Sequence, residues 1–320
     1  MAAERWVVYA TFDTTGAPAP FVEEQLTAYR QVGFKTIVVD TSPTLSPERE
    51  AAWQRSSTQW LTRPNTGYDF GSYRRGLRIL LEERRIPLEE LDVVFANDSC
   101  YGPYSPLADV FGAFDALPRD GRRVFGITES HEVGHHLQSY WLYFRADVVH
   151  HASAFFEATP EAVDRDDAIH QGEVGFSRFV VERGCELVAW CPIDALVRHF
   201  ADVHGTLLSI LEFGLRRRLQ RYRYTYSGDR ACLNRLVGRP FKCNPTTAFG
   251  THMHYHALTP FVKRNLVRDN PDHDAFVPIS GIGNARDNAT VHRLLRETER
   301  YRQRYGAGPP SAAGARFPHP

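Results

Sequence analysis

Four stretches that the hydrophobic pattern makes strands end on, or run directly into, Asp or Asn. They are Phe12-Asp13, Asp40-Thr41-Ser42, the run Arg63-Pro64-Asn65-Thr66-Gly67-Tyr68-Asp69, and Asn97-Asp98-Ser99. Any one of these is ordinary, because Asp and Asn favour turns and helix caps. Four in succession, with the most apolar strand ending Asn-Asp-Ser, point to a polar ligand site, since open α/β sheets bind ligands outside the carboxyl ends of their strands. Carboxylates placed there can accept hydrogen bonds from ribose hydroxyls or a base imide. One at the central strand end can also share Mg²⁺ with a diphosphate, because hard cations take oxygen ligands. A nucleoside diphosphate is therefore the ligand class these residues suit. No GxGxxG follows the first strand and no GxxxxGK[ST] occurs anywhere, which disfavours dinucleotide dehydrogenases and P-loop enzymes.

The elements that must position these residues can be read from periodicity. Trp6 to Phe12 is an apolar, β-branched run, and Phe21 to Val32 has helical spacing closed by Gly33. Lys35 to Asp40 is a second strand, so the first three elements make a βαβ unit with a parallel pair. The pattern predicts helices over 48–56, 71–84, 106–117 and 172–183. Further strands are predicted over 58–62, 91–96, 123–127, 139–145 and 186–191. The expected fold is α/β, a doubly wound, mostly parallel, Rossmann-like sheet over residues 1–195. A mainly helical region over 196–302 and a low-complexity, disordered tail over 303–320 are expected beyond it.

Composition narrows the class. The 320 residues carry 38 Lys plus Arg and 38 Asp plus Glu, so no net field draws the chain to nucleic acid. The basic cluster Arg216-Arg217-Arg218 reads as a solvated helix face. Five cysteines without CxxC spacing suit reduced thiols. Neither a signal peptide nor a run of roughly 18 apolar residues is present. The expectation is a cytoplasmic protein without a transmembrane segment, with peripheral contact at the inner face of the membrane left open.

Three long segments then occur in order: Asn65-Thr66-Gly67-Tyr68-Asp69-Phe70-Gly71-Ser72-Tyr73, Asn97-Asp98-Ser99-Cys100-Tyr101-Gly102-Pro103 and His136-Leu137-Gln138-Ser139-Tyr140. With Asn244-Pro245-Thr246 and Pro260 to Leu266 further on, they resemble the signature of the rhamnan synthesis protein F family. That family is associated with rhamnosyl transfer in the assembly of cell-wall and lipopolysaccharide glycans. The resemblance implies a GT-A-like fold, a nucleotide-sugar donor such as dTDP-L-rhamnose, and a glycan or lipid-linked glycan acceptor. It places Asp13, Asp40, Asn65, Gly67, Asp69, Tyr73, Asn97 and Ser99 on the donor side and His136, Gln138 and Tyr140 on the acceptor side. GT-A enzymes carry Asp-x-Asp at the central strand end, where this chain has Ala96-Asn97-Asp98. Asp98 is then the one direct ligand left for Mg²⁺ or Mn²⁺. Gly172-Glu173-Val174, with Gly184 beyond, is similar to the stretch that holds the catalytic base of inverting GT-A enzymes, so Glu173 is the expected base. Lys263 and Arg264 are expected to neutralise the leaving diphosphate.

Two other readings compete. His131-Glu132-Val133-Gly134-His135 matches HExxH, in which two His on one helix face bind zinc and Glu activates water. A zinc peptidase needs a helix there, yet strands are predicted on both sides. The loss of one Asp from the acidic pair motivates the second alternative, a degenerate glycosyltransferase that binds glycan without turning it over. His252-x-His254-x-His256 reads as alternating exposed histidines.

Overall fold

The computed structural model describes residues 3–17, 19–196, 244–250, 253 and 258–265. Most of the expected helical region, the Arg216–Arg218 cluster, His252, His254, His256 and the tail lie outside the described residues.

Strand β1 (Glu4–Thr11) pairs in parallel with β2 (Lys35–Asp40) on one side and with β4 (Leu91–Asn97) on the other. Strand β3 (Gln59–Thr62) extends the parallel run beyond β2. On the other flank β8 (Trp141–Phe144) is antiparallel to both β4 and β6 (Arg123–Ser130), and β9 (Glu186–Cys191) runs parallel to β6. A two-residue strand, β7 (His136–Leu137), turns back on the end of β6. The order β3-β2-β1-β4-β8-β6-β7 is that of a mixed, mostly parallel sheet, and with its helices it forms an α/β fold, as expected. Among the described residues, no helix is long and apolar enough to cross a membrane, and Cys100, Cys185 and Cys191 are buried free thiols.

Both faces of the sheet are covered, as parallel strands require. Alternate residues of each strand enter opposite cores: Val7, Tyr9, Val38 and Val94 on one face, Trp6, Val8, Val39 and Phe95 on the other. Helix α1 (Pro20–Gln31) covers the first face with Phe21, Val22, Leu26 and Tyr29, one stripe at helical spacing. Pro20 starts it where the missing N–H is harmless, and Gly33, at φ 87°, lets the chain turn into β2. Helix α2 (Pro47–Ser56) is capped by Ser46, whose hydroxyl accepts from the Arg49 amide. Helix α3 (Tyr68–Arg78) covers the second face, and its Gly76 lets the helix lie directly on Val8. Helices α4 (Leu107–Asp115), α5 (His150–Ala158), α6 (Arg165–Asp167) and α7 (Gly175–Val181) complete the layers, and α8 (Pro245–Ala248) approaches β6.

Three differences from the sequence reading matter. Helix α3 starts at Tyr68 rather than Gly71, because Gly67 (φ 65°) and Tyr68 (φ 52°) adopt left-handed backbone and set the helix entry earlier. A π-helical turn, Ile79–Glu83, ends it. The helix expected over 172–183 begins at Arg165 and passes through a second π-helical stretch, Ala168–Val174, before α7. Such stretches cluster at functional sites, and Glu173 lies in this one.

Candidate active site

The polar residues gather where β1, β2, β3 and β4 end. Asp98 follows β4, and its Oδ2 accepts from the Thr11 hydroxyl (3.0 Å), the Phe12 amide (3.2 Å) and Arg264 (3.3 Å). Arg264 also donates to the Asp98 carbonyl at 2.8 Å, and the Arg264 amide donates to the Ser99 carbonyl at 2.9 Å. These bonds continue a short antiparallel pairing of β5 (Cys100–Tyr101) with β10 (Val262–Lys263). Lys263 reaches the Ser99 hydroxyl at 3.4 Å. The late segment 260–265 thus lies against the central strand end. The boundary expected at residue 195 therefore does not separate the site from the later part of the chain.

Asn97 links two signature segments. Its Nδ2 donates to Asp69 Oδ2 at 2.7 Å, its Oδ1 accepts from the Ser99 amide at 3.0 Å, and its own amide donates to the Tyr140 carbonyl at 3.2 Å. Asp69 stands in the first turn of α3. Burial pushes its carboxyl up to about 7, with the Asp98 charge adding to the rise and Lys263 and the Asn97 bond opposing it. Asp69 is therefore a carboxyl that changes charge near neutrality.

Beside this centre, the loops after β1, β2 and β3 enclose a cleft of about 740 Å³, lined by Phe12, Thr41, Ser42, Thr62, Arg63 and Asn65 among others. Phe12 is 40% exposed, an aromatic face left open at a strand end. Arg63 is held in place by the Thr66 carbonyl and hydroxyl, both at 2.8 Å. Gly71 has no room for a side chain, because a Cβ there would collide with the Thr66 carbonyl.

Glu173 bonds the third signature segment. Its Oε1 accepts from the Ser139 amide at 2.6 Å, and its Oε2 lies 4.0 Å from His136 Nε2. His136 Nδ1 is 2.7 Å from the Gly134 carbonyl, so that nitrogen carries the proton and Nε2 faces the carboxylate. Gly172 next door leaves space that the Phe70 ring fills, joining the Glu173 segment to the first signature segment. Glu173 is close enough for its charge to raise Asp69.

Several of the expected site residues are bonded within the protein. Asp40 is fully buried: Arg49 (2.6 Å) and the Trp53 indole (2.8 Å) donate to its Oδ2, and the Ser42 amide donates to its Oδ1. Asp13 closes its own turn by accepting from the Thr15 amide and hydroxyl. Tyr73 is buried, stacked on Phe95, and donates to the Ser139 carbonyl at 3.0 Å. Gln138 and Tyr140 are buried. Gln138 donates to Asn244 Oδ1 (3.0 Å) and Thr246 Oγ1 (3.2 Å), and Tyr140 shares a hydrogen bond with Thr128. Gly67, Asn65 and Ser99 remain at the site rim. Phe12 and Arg63, which line the cleft, and Thr11, which bonds Asp98, were not singled out as site residues in the sequence, although Phe12 stands directly at the first strand end, an unusual place for an exposed ring.

The donor set does not fit a tightly bound Mg²⁺ or Mn²⁺ at Asp98. One oxygen is already satisfied by three donors, a guanidinium stands beside it, and both polar atoms of Asn97 are committed. Hard cations want several unencumbered oxygens. The HExxH match fails as a peptidase motif too: residues 131–135 form the turn between β6 and β7, not a helix.

Several known proteins are similar to this chain. It is 27% identical over 217 residues to virulence protein VirA of Vibrio anguillarum, a match that covers 66% of this chain and spans 63% of that protein's length. Among solved structures it is similar to the glycosyltransferase GlyE of Streptococcus pneumoniae TIGR4, with 9% identity, coverage of 98% of this chain and 66% of that one, and TM-score 0.38. A Desulfovibrio desulfuricans G20 protein described as a nucleotide-diphospho-sugar transferase has 13% identity, coverage of 74% and 100%, and TM-score 0.36. The family model for rhamnan synthesis protein F matches residues 37–192, the stretch that holds the three long signature segments.

Proposed function

We propose that this protein is a glycosyltransferase that moves a sugar from a nucleoside diphosphate to a glycan or lipid-linked glycan acceptor. The family match supports transfer in rhamnan-type glycan synthesis and L-rhamnose from dTDP-L-rhamnose as the donor. The observation that carries the reading is the convergence of four signature segments on one strand end, with the fifth tied in through Gln138. Asn97 bonds Asp69, Arg264 bonds Asp98, Tyr140 accepts from Asn97, and Gln138 ties in Asn244 and Thr246.

In this reading the nucleoside fills the cleft against Phe12, and the diphosphate lies along Asn97-Asp98-Ser99. Lys263 and Arg264 then supply the positive charge that a divalent cation supplies elsewhere, as oriented cations do for charge that develops in a transition state. The acceptor hydroxyl attacks the anomeric carbon, the bond from that carbon to the diphosphate oxygen breaks, and Glu173 takes the hydroxyl proton. The nucleoside diphosphate leaves with the bonding pair, and the anomeric configuration inverts. Glu173 suits the task because one oxygen is fixed by the Ser139 amide and the other faces His136.

The test is release of nucleoside diphosphate over a panel of dTDP-, UDP- and GDP-sugars, with Mg²⁺ and Mn²⁺ withheld and then supplied. The expected result is turnover of dTDP-L-rhamnose in both conditions. If no donor is consumed while a rhamnan-type glycan still binds, the chain is a glycan-binding protein and the transferase reading falls.

A further inference from the structure

At the far end of β6 lies a group of metal-ligating side chains that the donor site does not use. The hairpin of β6 and β7 pairs Ser130 with His136 and Glu129 with Leu137. His131 and His135 are the next residues out on either side of that hairpin, so the turn places them opposite one another. Their rings stack at 4.5 Å between centroids, tilted by 6°. The two-residue period of a strand puts Glu129 on the same face as His131, and Glu129 Oε2 lies 2.9 Å from His135 Nε2. One donor atom from each of the three residues lies within 4.8 Å of the others.

We propose that Glu129, His131 and His135 bind a borderline divalent transition cation, Zn²⁺ in particular, which pins the 131–135 turn to β6. A tetrahedral centre with bonds of about 2.0–2.2 Å sets its donors about 3.4 Å apart, and the donor atoms of these side chains lie within 4.8 Å of one another. Two imidazoles and a carboxylate are the donor set that selects Zn²⁺ over Mg²⁺. The group also has an outer support of the kind metal ligands need: the other Glu129 oxygen accepts from the Ile193 amide at 3.0 Å, just beyond β9.

The site is not the peptidase arrangement that the same residues suggest in sequence. The carboxylate beside the histidines is Glu129, two residues before the motif begins. Glu132 instead lies under the charges of His136 and Glu173. The cation would anchor the turn from which Glu132 and Gly134 reach the Glu173 segment. Three protein donors leave the fourth position to water.

The test is metal content of untagged protein after exposure to Zn²⁺ and gel filtration, together with the visible spectrum of the Co²⁺-loaded form. Wild type should retain one equivalent and give a tetrahedral Co²⁺ spectrum. His131→Ala and His135→Ala should lose both signals, and Glu129→Gln should weaken Zn²⁺ at least about tenfold. Glu132→Gln should keep the full equivalent. Circular dichroism of each variant separates lost metal from lost fold, and Glu129→Gln serves if the alanine variants do not fold. A wild type without stoichiometric metal, folded His131→Ala or Glu129→Gln proteins that bind as wild type does, or loss of metal in Glu132→Gln overturns the proposal. These readouts do not depend on donor binding, so the glycosyltransferase reading stands or falls separately.

Discussion

Asp69 offers a prediction whose size can be worked from its surroundings. Its carboxyl titrates at about 7 in the folded protein against an ordinary value of 3.8, chiefly through burial and then the nearby Asp98 charge. The folded state therefore binds a proton that the unfolded chain releases. This group's contribution to stability is fully present below about pH 4 and declines as pH rises through 7, by at most about 1.4 kcal/mol per pH step. The full difference corresponds to about 4 kcal/mol. Asp69 keeps partial solvent contact, which screens the effect, so a penalty on the order of 2 kcal/mol at pH 8 is the reasonable expectation. Asp69→Asn keeps an oxygen to accept from Asn97 but cannot ionise. Its melting temperature should match that of wild type near pH 4 and exceed it by about 3 °C at pH 8. Thermal unfolding of both proteins at steps between pH 4 and 8.5 measures this directly. A constant gap across that range, or a variant less stable at pH 8, would refute the assignment of a carboxyl raised to about 7 beside Asp98.

Three other substitutions probe separate parts of the molecule. Glu173→Gln should reduce transfer by at least about 100-fold, the scale of general base catalysis, while calorimetry finds nucleoside diphosphate affinity within about twofold of wild type. Phe12→Ala should weaken nucleoside diphosphate binding by about 1–3 kcal/mol, the range for an aromatic ring stacked on a base, with no loss of thermal stability because the ring is 40% exposed. Arg49→Met should lower unfolding free energy by about 3–5 kcal/mol in denaturant titration, because the Arg49–Asp40 pair has 0% exposure on both sides and Asp40 would be left buried and charged.

The sheet was legible in the sequence because its strands are short apolar runs with clear punctuation. Lys35–Asp40 and Glu186–Cys191 fall where the pattern places them. Helix α5 was overlooked: Ala152, Phe155 and Phe156 have the right spacing, but no side chain caps its start. Strands β5, β7 and β10 are two residues each, too short for any periodicity to register, and they are pairings set by tertiary contact. The polar strand ends marked the region of the site, yet composition alone could not tell Asp98, which is bonded by Thr11, Phe12 and Arg264, from Asp40, which is saturated by Arg49 and Trp53. That distinction depends on a residue nine positions downstream turning inward. Arg264 illustrates the same limit, since only pairing between β5 and β10 brings it to Asp98 from 166 positions away.

The central claim is that the end of β4, with Asp98 held by Arg264, binds the diphosphate of a nucleotide sugar. Isothermal titration of wild type and Arg264→Met with dTDP and dTDP-L-rhamnose, in buffer without Mg²⁺ or Mn²⁺, tests it most directly. The account predicts binding by wild type without added metal and a loss of about 10- to 100-fold in the variant, the scale of a lost charge-assisted hydrogen bond. Binding that appears only when Mg²⁺ or Mn²⁺ is supplied, or that is unchanged in a folded Arg264→Met protein, would contradict it.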